Sequence, residues 1–137
     1  MRTNIHASCV SLQRKGVLLL GDSGAGKSDM TLRLIELCQA KLIADDRVDL
    51  SLQNNQIKAS CPQNLAGLLE VRGVGIVKYS HQKQTTIKLV VQLTDEPLER
   101  MPEKQFYNLG KIKVPLLRIN PFENSAPLKV KAALRLL

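Results

Sequence analysis

The segment Gly21-Asp22-Ser23-Gly24-Ala25-Gly26-Lys27-Ser28 constrains this chain more than any other part of it. It satisfies G-x-x-x-x-G-K-[ST] in full, directly after the short apolar run Val17-Leu18-Leu19-Leu20, which reads as a buried strand. A helix is expected to follow from about Lys27 to Gln39. On it Asp29, Arg33 and Glu36 fall on one polar face, while Thr31, Leu34, Ile35 and Cys38 face the core. Strand, glycine-rich loop and helix in that order form a phosphate-binding loop. Gly21, Gly24 and Gly26 let backbone N–H groups close on phosphate oxygens, where a Cβ is expected to obstruct the turn. Lys27 neutralises the β- and γ-phosphates, and the Ser28 hydroxyl can ligate Mg²⁺ beside the positive end of the helix. The pattern implies a nucleoside triphosphate held by Gly21 to Ser28.

The rest of the chain decides what kind of sheet carries that loop. One strand is expected from Ile5 to Leu12, with a turn at Lys15-Gly16. Leu42-Ile43-Ala44 is a second buried strand and runs into Asp45-Asp46. Val48, Leu50 and Leu52 then alternate with polar residues, Asn54-Asn55 offers a turn, and Ile57, Ala59 and Cys61 alternate again. That is a hairpin pattern. Ile87, Leu89, Val91 and Leu93 make a further alternating strand, and a last one is expected over Lys111 to Ile119. Ser125 is expected to cap a C-terminal helix, with Pro127 in its first turn. A single strand-loop-helix unit followed by antiparallel strands predicts a mixed α/β domain of α+β-like character with few helices, not a doubly wound one. With 137 residues the chain has room for one core, so a single domain over 1–137 is expected.

Composition narrows the surroundings. Cys9, Cys38 and Cys61 are odd in number and form no CxxC pair, which argues for reduced thiols, not a zinc site or a disulfide framework. No stretch is long and apolar enough to span a membrane, and no signal-peptide core opens the chain, so a cytoplasmic protein without membrane contact is expected. The net charge of +8 lies mostly beyond the loop, from Lys78 to Arg135. Such a surface attracts an acidic protein, a nucleotide or a nucleic acid, or is merely solvated. Aromatic residues are 3% of the chain, which weakens single-strand nucleic-acid binding by stacking.

Three further sites can carry chemistry. Asp45-Asp46 closes an apolar strand, where a carboxylate can hold Mg²⁺ or its waters or take a proton from an attacking hydroxyl; alternation turns the neighbouring acid away into a structural role, and a strand-terminal turn pair explains both as well. Leu69-Glu70-Val71-Arg72-Gly73-Val74-Gly75-Ile76 places glycines two apart beside opposite charges, a pattern that a tight turn with a surface ion pair also explains. His6 and Arg100 read, by themselves, as a structural histidine and a loop residue.

The phosphate loop, then Leu42-Ile43-Ala44-Asp45-Asp46-Arg47-Val48-Asp49, then Leu69 to Ile76 together resemble the catalytic C-terminal domain of the bacterial HPr kinase/phosphorylase family. The resemblance runs through nearly the whole chain. It implies a fold like the nucleotide-binding part of phosphoenolpyruvate carboxykinase. It also implies ATP- and Mg²⁺-dependent phosphorylation of a regulatory serine on HPr, the carrier protein of the phosphotransferase system, and in many members removal of that phosphate by inorganic phosphate with release of pyrophosphate. Nucleic acid is no partner in that reading. By motif, Gly21 to Ser28 binds ATP, Asp46 is the catalytic base, Asp45 supports the metal or the base, and the two acids can exchange roles. Glu70 is a second Mg²⁺ ligand beside Ser28, His6 faces the acid, and Arg100 is a catalytic arginine from later in the chain. The family's assembly implies a homo-oligomer, a hexamer.

The chain departs from the family pattern in three places. It begins at the catalytic domain, so it resembles the short alpha-proteobacterial form, with no N-terminal domain expected, or else a truncated chain. Ala7 stands after His6 where glycine is usual. Asn120-Pro121-Phe122-Glu123-Asn124-Ser125 stands where a Gly-Arg-Asn segment tied to dephosphorylation is expected. A small-molecule kinase, a regulatory nucleotide-binding module and a nucleic-acid-binding ATPase use the same loop; the paired acids and the Glu70 segment favour an enzyme over a switch, the basic C-terminal half favours a macromolecular partner over a metabolite, and charge alone leaves the nucleic-acid-binding ATPase open.

Overall fold

The computed structural model describes residues 2–62 and 64–137. Along the chain the elements are β1 (Arg2–His6), β2 (Ser8–Leu12), β3 (Lys15–Leu20), α1 (Lys27–Cys38), β4 (Lys41–Ala44), β5 (Arg47–Gln53), β6 (Gln56–Ser60), β7 (Leu68–Val71), β8 (Gly75–Lys78), β9 (Gln84–Leu93), β10 (Gln105–Leu109), β11 (Ile112–Ile119) and α2 (Ala126–Leu134). Nine strands form one mixed sheet in the order β1-β5-β6-β9-β3-β2-β4, with β11 and then β10 branching from β9, and β7 and β8 form a separate hairpin. This is the mixed α/β architecture with few helices that the alternating patterns predict.

The directions of the strands position everything that follows. β3 is parallel to β9 and β9 to β11, while β2 is antiparallel to both β3 and β4. β4, β3, β9 and β11 therefore all run the same way and end along one edge. Asp45-Asp46, the Gly21 loop, Thr94 and Asn120 follow those four ends. Ligands of open α/β sheets bind at such an edge, outside the carboxyl ends of parallel strands.

Both faces of the central strands are covered. Val10, Val17, Leu19, Leu89 and Val91 pack on one face with Met30, Leu34, Val130 and Leu134 of the helices. Cys9, Leu18, Leu20 and Val90 pack on the other with Val48, Leu50, Ile57 and Ala59 of the hairpin. Burial on both sides is why Val17 to Leu20 is continuously apolar while the hairpin strands alternate. Cys9 is fully buried and its thiol pKa is pushed far up by desolvation; Cys38 and Cys61 are also free and shifted upward, by burial first. None of the three forms a disulfide.

Three expectations are corrected. The Ile5–Leu12 strand is two strands, because the chain leaves its partner β5 at Ala7, whose N–H donates to the Asp46 carbonyl at 3.1 Å, and joins β3 and β4 instead. The turn before β3 falls at Gln13 and Arg14, both at positive φ, and Lys15-Gly16 is already strand. Ser125 occupies the N-cap position of α2 but makes no side-chain capping bond. The tight turn offered for Leu69 to Ile76 is present, with the Val74 N–H donating to the Val71 carbonyl at 2.9 Å, and it joins two paired strands of a hairpin.

Gly16 is the tightest point of the central sheet. A Cβ there meets Thr85 Cγ2 at 2.7 Å and, closer still, the backbone carbonyl oxygen of Thr86, which cannot rotate away. Gly16→Ala is therefore expected to cost about 1–3 kcal/mol and lower the melting temperature by several degrees, read by thermal unfolding. An unchanged melting temperature would show that β9 can shift away from β3.

Candidate active site

The Gly21 to Ser28 loop lies between β3 and α1, in the middle of the edge described above. Lys27 is buried, and its ammonium donates to the Gly21 carbonyl at 2.6 Å and the Asp22 carbonyl at 3.2 Å. The lysine thus holds the loop closed while its charge stays at the phosphate cradle. Gly24 and Gly26 sit at φ 85° and 95°. An added Cβ at Gly24 meets nothing within 4 Å, so its requirement is the left-handed backbone and not the crowding expected from the sequence. Gly26 is the N-cap of α1 and carries no side chain to satisfy the first helical N–H groups. Those donors and the helix dipole are left to an anion.

Asp45 and Asp46 leave the end of β4 by a three-residue turn. The Arg47 N–H donates to the Asp45 carbonyl at 2.8 Å, and Asp46 at the centre has φ 70°. A γ-turn with positive φ is the strained form, and strain of this kind concentrates at functional sites. Its consequence is that the two carboxylates separate. Asp45 Oδ1 accepts hydroxyl bonds from Ser28 and from buried Ser8, each at 2.9 Å. Asp46 Oδ1 lies 2.5 Å from His6 Nε2, with its carboxylate mostly exposed. An ionised carboxylate only accepts, so the imidazole N–H is the donor in this contact. Asp45 thus faces the loop hydroxyl, and Asp46 faces the open cleft.

That cleft has a volume of about 720 Å³. Lys27, Ser28, His6, Asp46, Glu70 and Arg72 all line it. Glu70 and Arg72 reach it from the β7–β8 hairpin, which Tyr79 fastens to α1 by donating to Glu36 at 3.0 Å. That bond holds the Tyr79 phenol above its usual pKa. Asp22 and Ala25 lie on the other flank of the loop, where they line a second cleft. Arg100 is exposed and lines neither cleft.

Among the described residues, no group of three or more His, Cys, Asp or Glu side chains could hold a metal unaided. The hydroxyl of Ser28 beside the Asp45 carboxylate nevertheless fits Mg²⁺, which takes hard oxygen donors and is usually held by one or two carboxylates together with substrate phosphates.

Three residues in this region escaped the sequence reading. Ser8 stands two residues after His6 near a strand boundary, a spacing that brings both toward Asp45-Asp46. Arg33, read only as part of a polar face, donates from Nη2 to the Pro121 carbonyl and from Nη1 to the Glu123 carbonyl at 3.3 Å. Its Nε lies 3.0 Å from Asp29 Oδ2 as a charge contact, off the N–H direction and without a hydrogen bond. Phe122, held at the lip, lines both clefts.

The family model of the HPr Serine kinase C-terminal domain matches residues 1–128. The chain belongs to this family. It is 39% identical over 117 residues to the HPr kinase/phosphorylase of Lacticaseibacillus casei strain BL23, covering 80% of this chain and 35% of that protein. To the enzyme of the same name from Ralstonia pickettii strain 12J it is 35% identical over 130 residues, covering 86% and 40%. The chain thus spans little more than a third of the length of these curated relatives. The HPr(Ser) kinase/phosphatase structure from Coxiella burnetii superimposes with a TM-score of 0.83 at 29% identity, covering 97% of this chain and 88% of that one. The matched residues include the loop, the paired acids and the β7–β8 hairpin.

Proposed function

We propose that this domain is a protein-serine kinase that transfers the γ-phosphoryl group of Mg-ATP to the regulatory serine of HPr. The observation that carries the reading is the divergence of Asp45 and Asp46 from one γ-turn, the first onto Ser28 and the second, with His6, into the cleft beside the loop. Ser28 and Asp45, with Glu70 of the same cleft, would hold Mg²⁺, which would neutralise charge on the triphosphate. The loop amides and Lys27 hold the triphosphate in place. A serine hydroxyl is a weak nucleophile at neutral pH, so Asp46 receives its proton as the new O–P bond forms and the bond to the ADP oxygen breaks. His6 orients the Asp46 carboxylate through its N–H. In reverse, an orthophosphate oxygen attacks the phosphoserine phosphorus while the bond to the serine oxygen breaks, so that pyrophosphate forms, and Asp46 passes the proton given up by orthophosphate to the departing serine oxygen.

Arg100 lies outside both clefts of a single chain; in this reading it reaches the reaction from a neighbouring copy in a hexamer of the domain. A cytoplasmic site of action goes with both substrates. No helix of the described residues is long and apolar enough to cross a membrane.

The test is incubation with Mg-ATP and the cognate HPr, followed by intact-mass measurement of HPr. The expected result is a gain of one phosphoryl group that disappears when the acceptor serine is replaced; orthophosphate added afterwards should release pyrophosphate. Bound ATP with no mass gain would favour the regulatory module or the small-molecule kinase.

A further inference from the structure

The catalytic cleft lies on the β4 side of the phosphate loop. A second cleft of about 550 Å³ lies on the other side, at the ends of β9 and β11. It is lined by the first half of the loop, by Thr94, Asp95 and Glu96 after β9, and by Arg118 and Phe122. We infer that this second cleft takes the base and ribose of the nucleoside triphosphate, with Phe122 as the platform on which the base stacks. The inference rests on the reading of the loop as a triphosphate site.

Geometry supplies the first argument. A triphosphate is linear, and its γ end must lie beside Asp46 for transfer to occur. Its nucleoside end must then leave the loop away from the acids, and β9 and β11 are the strands on that flank. Their ends are joined there, since the Thr94 N–H donates to the Ile119 carbonyl at 2.9 Å.

Charge supplies the second. Asp22, Asp95 and Glu96 line the second cleft against one cation, Arg118, which already donates to Gln105 Oε1 at 3.1 Å. Phosphate oxygens are repelled from such a surface. Ribose hydroxyls are donors that carboxylates accept.

The third argument is Phe122 itself. The chain has two phenylalanines, and this one is 71% exposed at the shared lip of both clefts, where it adds nothing to the core. It is nonetheless fixed. Its N–H donates to Asn120 Oδ1 at 2.9 Å, and Arg33 clamps the carbonyls of Pro121 and Glu123 on either side of it. An exposed ring on a pinned backbone is a preorganised stacking surface, and every base offers it a π-face.

The experiment is isothermal titration of the whole chain with Mg-ATP and, separately, with Mg-tripolyphosphate, which has the phosphates and no nucleoside. Wild type is expected to bind ATP the more tightly. Phe122→Ala should weaken ATP about tenfold and leave tripolyphosphate unchanged, and Phe122→Tyr should restore ATP affinity. Equal wild-type affinities, an unchanged ATP affinity in Phe122→Ala, or a parallel loss of both ligands overturns the subsite. If wild type binds neither ligand, the phosphate-loop reading falls and the subsite with it. If ATP binding follows the expected pattern but HPr gains no mass, the kinase reading falls and the subsite stands.

Discussion

Asp46→Asn is expected to leave Mg-ATP affinity within about threefold of wild type and to slow phosphoryl transfer to HPr by about 10²–10⁴-fold, the usual contribution of a positioned general base. The reasoning is local. Asparagine matches aspartate in size, and the side chain is 69% exposed beside His6, so the fold loses little. Its amide oxygen still meets the imidazole N–H, but it cannot accept the serine proton. Asp45→Asn should behave differently. It weakens the acceptor of the Ser8 and Ser28 hydroxyls, so its defect should lie in the Mg²⁺ concentration needed for activity. Single-turnover rates at saturating ATP over a range of Mg²⁺ separate the two. Normal turnover in Asp46→Asn would remove the base assignment, and a severe loss in Asp45→Asn at all Mg²⁺ concentrations would transfer the role to Asp45.

The fold was legible in the sequence wherever burial leaves a pattern. β3 is buried from Gly16 on and reads as a continuous apolar run; β5, β6 and β9 are buried on alternate residues for much of their length and read as alternation. The strands that escaped have almost nothing inside. In β8, Ile76 is 72% exposed, and in β10 only Leu109 is buried. Such strands exist because a partner offers a ladder of backbone bonds, which side-chain periodicity does not record. β1 is mostly exposed too, and its fusion with β2 in the sequence reading followed from the same blindness.

The site divides along a similar line. The phosphate loop is contiguous and has one meaning, so its eight positions could be read directly. The distinction between Asp45 and Asp46 could not. It depends on a positive φ at a non-glycine residue and on Ser8 and His6, which lie about 40 residues earlier and meet the acids only through the sheet. Ordinary strand alternation would have sent one of the two carboxylates away from the site; the γ-turn brings both to it. Arg33 illustrates the limit from the other side, since its partners are carbonyl groups, which no sequence pattern advertises.

Lys27→Ala should have a large effect of a different kind, on binding and on transfer together. Lys27 is only 7% exposed and its ammonium is held by two loop carbonyls, so it is already in place before nucleotide arrives. Removing it deletes a preorganised positive charge from the phosphates in a site of reduced dielectric, where such groups are worth several kcal/mol to the transition state. Transfer to HPr is expected to fall by about 10³-fold or more, with ATP and tripolyphosphate affinity falling in parallel, because the lost contact is to phosphate and not to the nucleoside. Stability should change little. The Gly21 and Asp22 carbonyls lose a donor, at about 1–3 kcal/mol each if left dry, but the buried charge no longer has to be desolvated and water can enter the space. Titration, single-turnover kinetics and thermal unfolding of the same preparation test all three parts. A melting temperature that collapses together with activity would mean that Lys27 chiefly holds the loop shut. A stable variant that binds ATP normally would mean that the loop amides alone carry the triphosphate.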